Sequence, residues 1–247
     1  MKVIVALASL LAMLSFTTQA QQHATAPGRG TSAPALKVEI VSPPGAPLRV
    51  TEVITRWAVP DQTLLELSVK VENAGSRATR AYATRDGADA TGAQGQCHID
   101  NAKGPGKVLQ PGHSILRTSW RSYTASSLPA ILYVSVDFVE LADDKTWGAD
   151  RCGVAEHLAG ARAGGSGQIE RLQKILKQTG PQAVMNIVGN YKCEAEAPAG
   201  QSERWTEAFR AGTETICARV RQAVQEWGLD EIEAALKRPF DASGAQK

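Results

Sequence analysis

The sequence lacks several things, and each absence removes a class of protein. Net charge is almost nil, with 27 Lys and Arg against 25 Asp and Glu. The balance also holds locally: residues 21–156 carry 14 basic and 14 acidic side chains, and residues 157–247 carry 12 and 11. Neither part offers the basic face that a phosphate backbone needs, so no nucleic-acid partner is expected. Beyond the N-terminal segment there is no second apolar stretch of about 18 residues, and no membrane span is expected. Nor is there a repeat of 20 to 50 residues that would indicate a solenoid or propeller.

The motifs that would name an enzyme are missing too. His23, His98, His113 and His157 never pair at the i, i+4 spacing of a zinc protease. Ser166 sits in Gly164-Gly165-Ser166-Gly167-Gln168, which fails the nucleophile-elbow pattern at its last position and lacks the preceding strand. Gly106-Lys107 is followed by Val108 rather than Ser or Thr, which excludes a phosphate loop. No catalytic residue, metal or cofactor is assigned.

What is present begins with Lys2, an apolar run from Val3 to Leu14, Ser15-Phe16 and the small-residue site Thr18-Gln19-Ala20. This is the layout of an export signal over residues 1–20, with the mature chain expected from Gln21. No Cys follows the leader, so a lipid anchor has no residue to use, and soluble export to the periplasm or the exterior is expected. Residues 21–35 are rich in Gly, Pro, Ala, Thr and Ser and read as a flexible tether. Cys97, Cys152, Cys193 and Cys217 are even in number and, in an oxidising compartment, predict two disulfides, with three possible connectivities. Cys97–Cys152 with Cys193–Cys217 is favoured, because it keeps each bridge within one of the two regions described next. In the chain-entropy account each contributes roughly 3 to 4 kcal/mol.

Over residues 36–152 the apolar period is two. Leu36, Val38 and Ile40 share one side of a strand, and Val53, Trp57 and Val59 share another before the turn at Pro60-Asp61. In Leu64 to Glu72 the residues Leu65, Leu67, Val69 and Val71 alternate with polar neighbours. Further strands are expected at Ala78 to Arg85, Ser114 to Trp120, Ile131 to Leu141 and Thr146-Trp147, with a long loop from Asp86 to Lys107 that holds Cys97. About seven short strands with no helix between them predict an antiparallel β-sandwich and exclude a doubly wound parallel sheet.

Residues 153–240 change to a helical period and predict a small helical bundle, followed by a polar tail at 241–247. Val154, Leu158 and Ala161 form a first short helix that the run Gly164 to Gly167 is expected to break. Ile169, Leu172, Ile175 and Leu176 form a second, stopped by Gly180-Pro181. Val184, Ile187 and Val188 suggest another turn or two. The longest helix starts near the cap Ser202 and carries Trp205, Phe209, Ile216, Val220, Val224 and Trp227, with Gly212 marking a bend or a close contact. Leu229 to Leu236 adds a last amphipathic segment ended by Pro239.

Three clusters could carry a site. Cys97-His98-Ile99-Asp100 holds metal and nucleophile chemistry, but adjacent residues rarely face one point, and an exported Cys tends to oxidise. Asp143, Asp144 and Asp150, with Asp137 and Glu140, bracket Trp147-Gly148 and could give two or three of the six to eight oxygens that calcium takes; the plainer reading is a solvated turn protecting a sheet edge. Among five tryptophans, Trp57, Trp205 and Trp227 fall on core stripes, whereas Trp120 and Trp147 lie near strand ends where they could stack on sugar.

Val71-Glu72-Asn73-Ala74-Gly75, Arg80-Ala81-Tyr82, Leu109-Gln110-Pro111-Gly112, Val136 to Glu140 and Thr146-Trp147-Gly148 together resemble exported bacterial immunoglobulin-like domains over Leu36 to Asp150. That resemblance implies a sandwich that displays or binds, and it brings no catalytic residues. The expected function is a non-catalytic exported protein making contacts with an envelope protein, or supporting a larger assembly, at the cell envelope. One rival is a carbohydrate-binding module, which needs Trp120 and Trp147 on one exposed face to hold a glycan. The other is a hydrolase with a site between the two regions, uniting His157, Asp150 and Cys or Ser side chains.

Overall fold

Alternating apolar residues do form strands, and the computed structural model describes residues 36–57, 64–89, 95–101, 108–122, 129–189, 193 and 195–240. The leader, the tether, the polar tail, Val59 and the Pro60-Asp61 turn lie outside the described residues. The strands are β1 (Lys37–Val41), β2 (Leu48–Trp57), β3 (Leu64–Asn73), β4 (Thr79–Gly87), β5 (Gly95–Asn101), β6 (Ser114–Ser122), β7 (Ile131–Leu141) and β8 (Thr146–Gly148). They form two sheets. One has the order β1-β7-β4-β5, with β8 also on β7, and the other has the order β2-β3-β6.

The sheets are mostly antiparallel. The exception is β1, which runs parallel to β7 from Lys37↔Ile131 to Val41↔Ser135. The sequence pattern predicts an antiparallel arrangement; β1 departs from it, lying parallel on the same flank of β7 that β8 pairs antiparallel. Leu48, Val50, Leu67, Val69 and Val71 of one sheet meet Tyr82, Leu132, Val134, Val136, Val139 and Leu141 of the other in a single buried cluster. Period-two alternation thus gives each sheet one inner and one outer face.

The segment from Asp86 to Lys107 is not wholly loop, because β5 lies within it and pairs antiparallel with β4 from Ala81↔Asn101 to Gly87↔Gly95. Cys97 is on this strand and is bonded to Cys152. The second bridge is Cys193–Cys217, so both expected pairings form.

Among the described residues four helices follow: α1 (Val154–Thr179), α2 (Pro181–Gly189), α3 (Glu203–Trp227) and α4 (Ile232–Lys237), with a 3-10 turn at Leu229–Glu231 before the last. The glycine run does not break α1, which continues for 26 residues. Each helical glycine costs about 1 kcal/mol relative to alanine, but here the missing side chains let two backbones touch. A Cβ on Gly160 would strike the Trp205 carbonyl, one on Gly164 the Phe209 carbonyl, and one on Gly212 the Ala161 carbonyl. Close packing against α3 thus overrides the local preference, and Gly212 is a contact rather than a bend. Ser202 caps α3 as expected, its Oγ accepting from Trp205 N at 3.1 Å.

The helices continue the β unit. Val154 and Leu158 of α1 pack with Ala81, Ala83, Phe138 and Cys152 against the outer face of the five-stranded sheet. Arg162 adds an ion pair to Glu140 at 2.8 Å. A second apolar cluster, including Leu172, Val184, Ile216, Val220, Ile232 and Leu236, joins the helices to one another.

Candidate functional site

The register between β3 and β6 positions the site. Leu65, Leu67, Val69 and Val71 are paired with Arg121, Ser119, Arg117 and Ile115. Leu67, Val69 and Val71 belong to the core, so Arg117 and Arg121 also point inward. Leu116 and Trp120, opposite Lys70 and Glu66, point outward. Ile115 still packs against the core, but from Leu116 to Arg121 the strand is inverted relative to the usual apolar-in pattern.

Ion pairs between the sheets hold the inversion. Arg121 grips Asp86 with two hydrogen bonds of 3.0 and 2.5 Å, and both side chains are 3% exposed. Two pleat repeats away, Arg117 makes the same two-pronged contact with Asp100, one arm at 3.0 Å, and Tyr82 Oη donates to Asp100 at 2.9 Å. Paired geometry of this kind satisfies the guanidinium donors inside the protein. His98 Nε2 lies 3.2 Å from Asp86 without hydrogen-bond geometry. Burial, aided by Arg121, holds the His98 imidazole below its usual value although Asp86 pulls the other way. Burial pushes the Tyr82 hydroxyl up to about 12, with Arg117 opposing. Because β5 alternates, His98 and Asp100 point inward while Cys97 points to the opposite face. The tetrad Cys97-His98-Ile99-Asp100 therefore does not converge.

The outward face of the three-stranded sheet carries Ile54, Leu116 and Trp120, which are 49%, 52% and 52% exposed. Between them run cross-strand charge pairs. Arg49 meets Glu72 at 3.5 Å, Glu52 is opposite Lys70, and Arg56 meets Glu66 at 2.6 Å. Ser68 and Thr118 share a 2.8 Å hydrogen bond at the centre. Three cations and three anions leave this face neutral, a surface suited to a mixed apolar and polar partner rather than to a polyanion.

The other expected site residues lie elsewhere. Trp147 is half-buried against the core on β8, so it shares no sheet with Trp120, and the two do not form one platform. Asp143 pairs with Arg77 at 2.7 Å, which holds its carboxyl below the usual range against desolvation. Asp144 pairs with Arg80, and Glu140 with Arg80 and Arg162. Asp150 accepts from Val154 N and Ala155 N at the start of α1, and Asp137 accepts from Cys152 N. Each acidic group is thus engaged with a donor of the protein. Among the described residues no three His, Cys, Asp or Glu side chains group to hold a metal ion.

His157 is half-buried, and burial followed by the charge of Arg204 lowers its pKa. With Asp150 bound to the helix amides and Cys152 in a disulfide, these residues do not assemble as a nucleophile with its base. Ser166 sits exposed in mid-helix, not on an elbow. Trp57 and Trp205 are half-buried, as core-stripe residues at an element end can be. Trp227, expected in the core, is 75% exposed, because it ends α3 beyond the reach of the packed cluster.

Ile54, Leu116, Arg117, Arg121 and Asp86 were not singled out from sequence. A signal existed: Arg117 and Arg121 fall in phase with Ile115, and Leu116 and Trp120 fall in the opposite phase. No protein-family model matches this chain, and no curated protein matches it either. Among the described residues, no helix is long and apolar enough to cross a membrane.

Proposed function

We propose that this is an exported, non-catalytic protein that binds another protein at the cell envelope through the outer face of β2, β3 and β6. The observation that carries this reading is the inverted β6. Burying an arginine is expensive unless it is fully paired, yet the chain spends Asp86 on the buried Arg121 and Asp100 on the half-buried Arg117 while leaving Leu116 and Trp120 in water. A neighbouring exposed Ile54 completes an apolar patch, and exposed aromatic and aliphatic anchors beside charges are typical of contact surfaces.

Two further observations support it. Both disulfides suit an oxidising compartment. We also read the β unit as an immunoglobulin-like sandwich, because β2-β3-β6 opposite β5-β4-β7-β8 follows the strand order of that fold, with β1 added beside β7. Fold by itself does not assign the ligand.

The test is retention of envelope proteins by the mature chain and by a Leu116→Ser, Trp120→Ser variant of equal stability. A partner held by the first and lost by the second supports the reading; equal retention contradicts it. One observation favours a second reading. The exposed Trp120 ring lies beside the Arg56–Glu66 pair, an apolar plate next to hydrogen-bonding groups, which would suit a glycan. Quenching or protection of Trp120 fluorescence by an oligosaccharide panel would favour that reading, and an unchanged signal would remove it.

A further inference from the structure

The outward face of β2, β3 and β6 is complementary to itself. Register sets its residues in rows across the strands: Arg56, Glu66 and Trp120 form a first row, Ile54, Ser68 and Thr118 a middle one, and Glu52, Lys70 and Leu116 a third. Between the first row and the third, the charge changes sign on β2 and on β3, and on β6 one large apolar group answers another. We propose that the occupant of this face is a second copy of the chain, docked face to face about a twofold axis that runs along the middle row, across the strands. This rests on the reading of the face as the contact surface, and it names the partner.

Such an axis lays the first row of one copy over the third row of the other, and every contact off the axis occurs twice. Arg56 of one copy meets Glu52 of the other, Glu66 meets Lys70, and Trp120 meets Leu116. Ile54, Ser68 and Thr118 each meet their own image. No like charges oppose one another. An axis along the strands would instead set Glu66 on Glu66 and Lys70 on Lys70, which is unfavourable, so the pattern selects one operator. Two aligned sheets cross at about 30°, which displaces a position one row from the axis by less than one strand spacing.

Exposure and pairing fit this occupant. Ile54 on the axis, and Leu116 and Trp120 beside it, are about half exposed and free to meet apolar groups. Arg56 and Glu66 form an ion pair at 2.6 Å, whereas Glu52 and Lys70, opposite one another in register, make no ion pair with each other or with any described residue. The row without an ion pair is the one laid over the Arg56–Glu66 pair of the second copy, which extends that pair into an alternating array of four charges. Arg49 and Glu72 lie outside the repeated rows. A face three strands wide, at about 4.8 Å per strand, is small beside standard interfaces of about 800 Å² per partner, so the dimer belongs to the weak class, forming at micromolar concentrations or above.

The test is sedimentation velocity of the mature chain from about 10 µM to 1 mM, where weak dimers are populated, with two variants that each reverse one row. Glu52→Lys with Lys70→Glu reverses the third row, and Arg56→Glu with Glu66→Arg reverses the first. Both keep the net charge and the opposition of signs across the strands, so a role confined to one molecule is preserved. Either variant alone sets like charges together at every charged contact and is expected to dimerise at least about tenfold more weakly than the natural chain. An equimolar mixture of the two restores unlike charges throughout and is expected to associate within about threefold of the natural strength. A natural chain that stays monomeric over the whole range overturns the proposal, as does a mixture no stronger than its components. A dimer that persists in the Leu116→Ser, Trp120→Ser variant uses another surface and overturns it too. Failure of the contact surface itself is read separately, from equal retention of envelope proteins by that variant.

Discussion

The two sheets have outer faces of similar make but opposite fate. That of the five-stranded sheet presents Ala81, Ala83 and Phe138, and α1 covers it with Val154 and Leu158. That of the three-stranded sheet presents Ile54, Leu116 and Trp120, and none of these belongs to a buried cluster. The covered face is explained by folding: apolar area is removed from water at roughly 25 cal/mol per Å². The bare face is not, since its Leu116 and Trp120 stay in water. Beneath it Arg117 and Arg121 pair with Asp100 and Asp86 across the core, and Ile115 packs against that core. Exposure here is a built feature, which is why the face is the best candidate for function.

The comparison breaks most readily at the ion pairs. Arg121→Met leaves Asp86 as a buried, uncompensated carboxylate and is expected to cost about 3–5 kcal/mol in urea unfolding. Adding Asp86→Leu removes the orphan charge and is expected to restore most of the loss. If the double variant is as unstable as the single one, the pair is not what holds β6 in place. On the covered face, Leu158→Ala is expected to cost about 2–4 kcal/mol through transfer and cavity terms.

Much of this architecture was legible, and the failures have identifiable causes. β3 and β7 could be read because a half-buried strand writes its two environments into alternate residues. β5 could not, because its seven residues sit among glycines and its inward positions, His98 and Asp100, are polar. The continuity of α1 through Gly164 and Gly165 was hidden for a different reason. The penalty of a helical glycine is local, whereas the compensation comes from the α3 backbone some 45 residues onward, a contact no short window contains. The disulfides were legible from the even number of cysteines and from the division of the chain into two regions, each of which keeps one bridge. The face of β6 was legible as a period and not as a direction, since an alternating strand fits either orientation until its partners are known.

Gly164→Ala tests that helix contact: the new methyl must displace the Phe209 carbonyl, with an expected cost of about 1–3 kcal/mol. A smaller effect concerns pH. His98 is held below its usual value in the fold, so the unfolded chain binds more protons as pH falls below about 6.5. Stability is therefore fully present above that pH and declines below it. His157 shifts in the same direction, so His98→Gln is expected to flatten the decline without abolishing it, as read from unfolding midpoints between pH 7 and 5. Least affected is the bare face, where Leu116→Ala is expected to change stability by under about 0.5 kcal/mol. A much larger loss would mean that Leu116 is packed and the two faces are alike.

Site-specific photocrosslinking compares the two faces most directly. A photoreactive residue replaces Thr118, at the centre of the bare sheet face, or Ala159, on the exposed side of α1, in the full chain exposed to envelope proteins. A discrete adduct from position 118 and none from 159 is the expected result. Adducts from 159 alone, or from neither position, would contradict the assignment of β2, β3 and β6 as the contact surface.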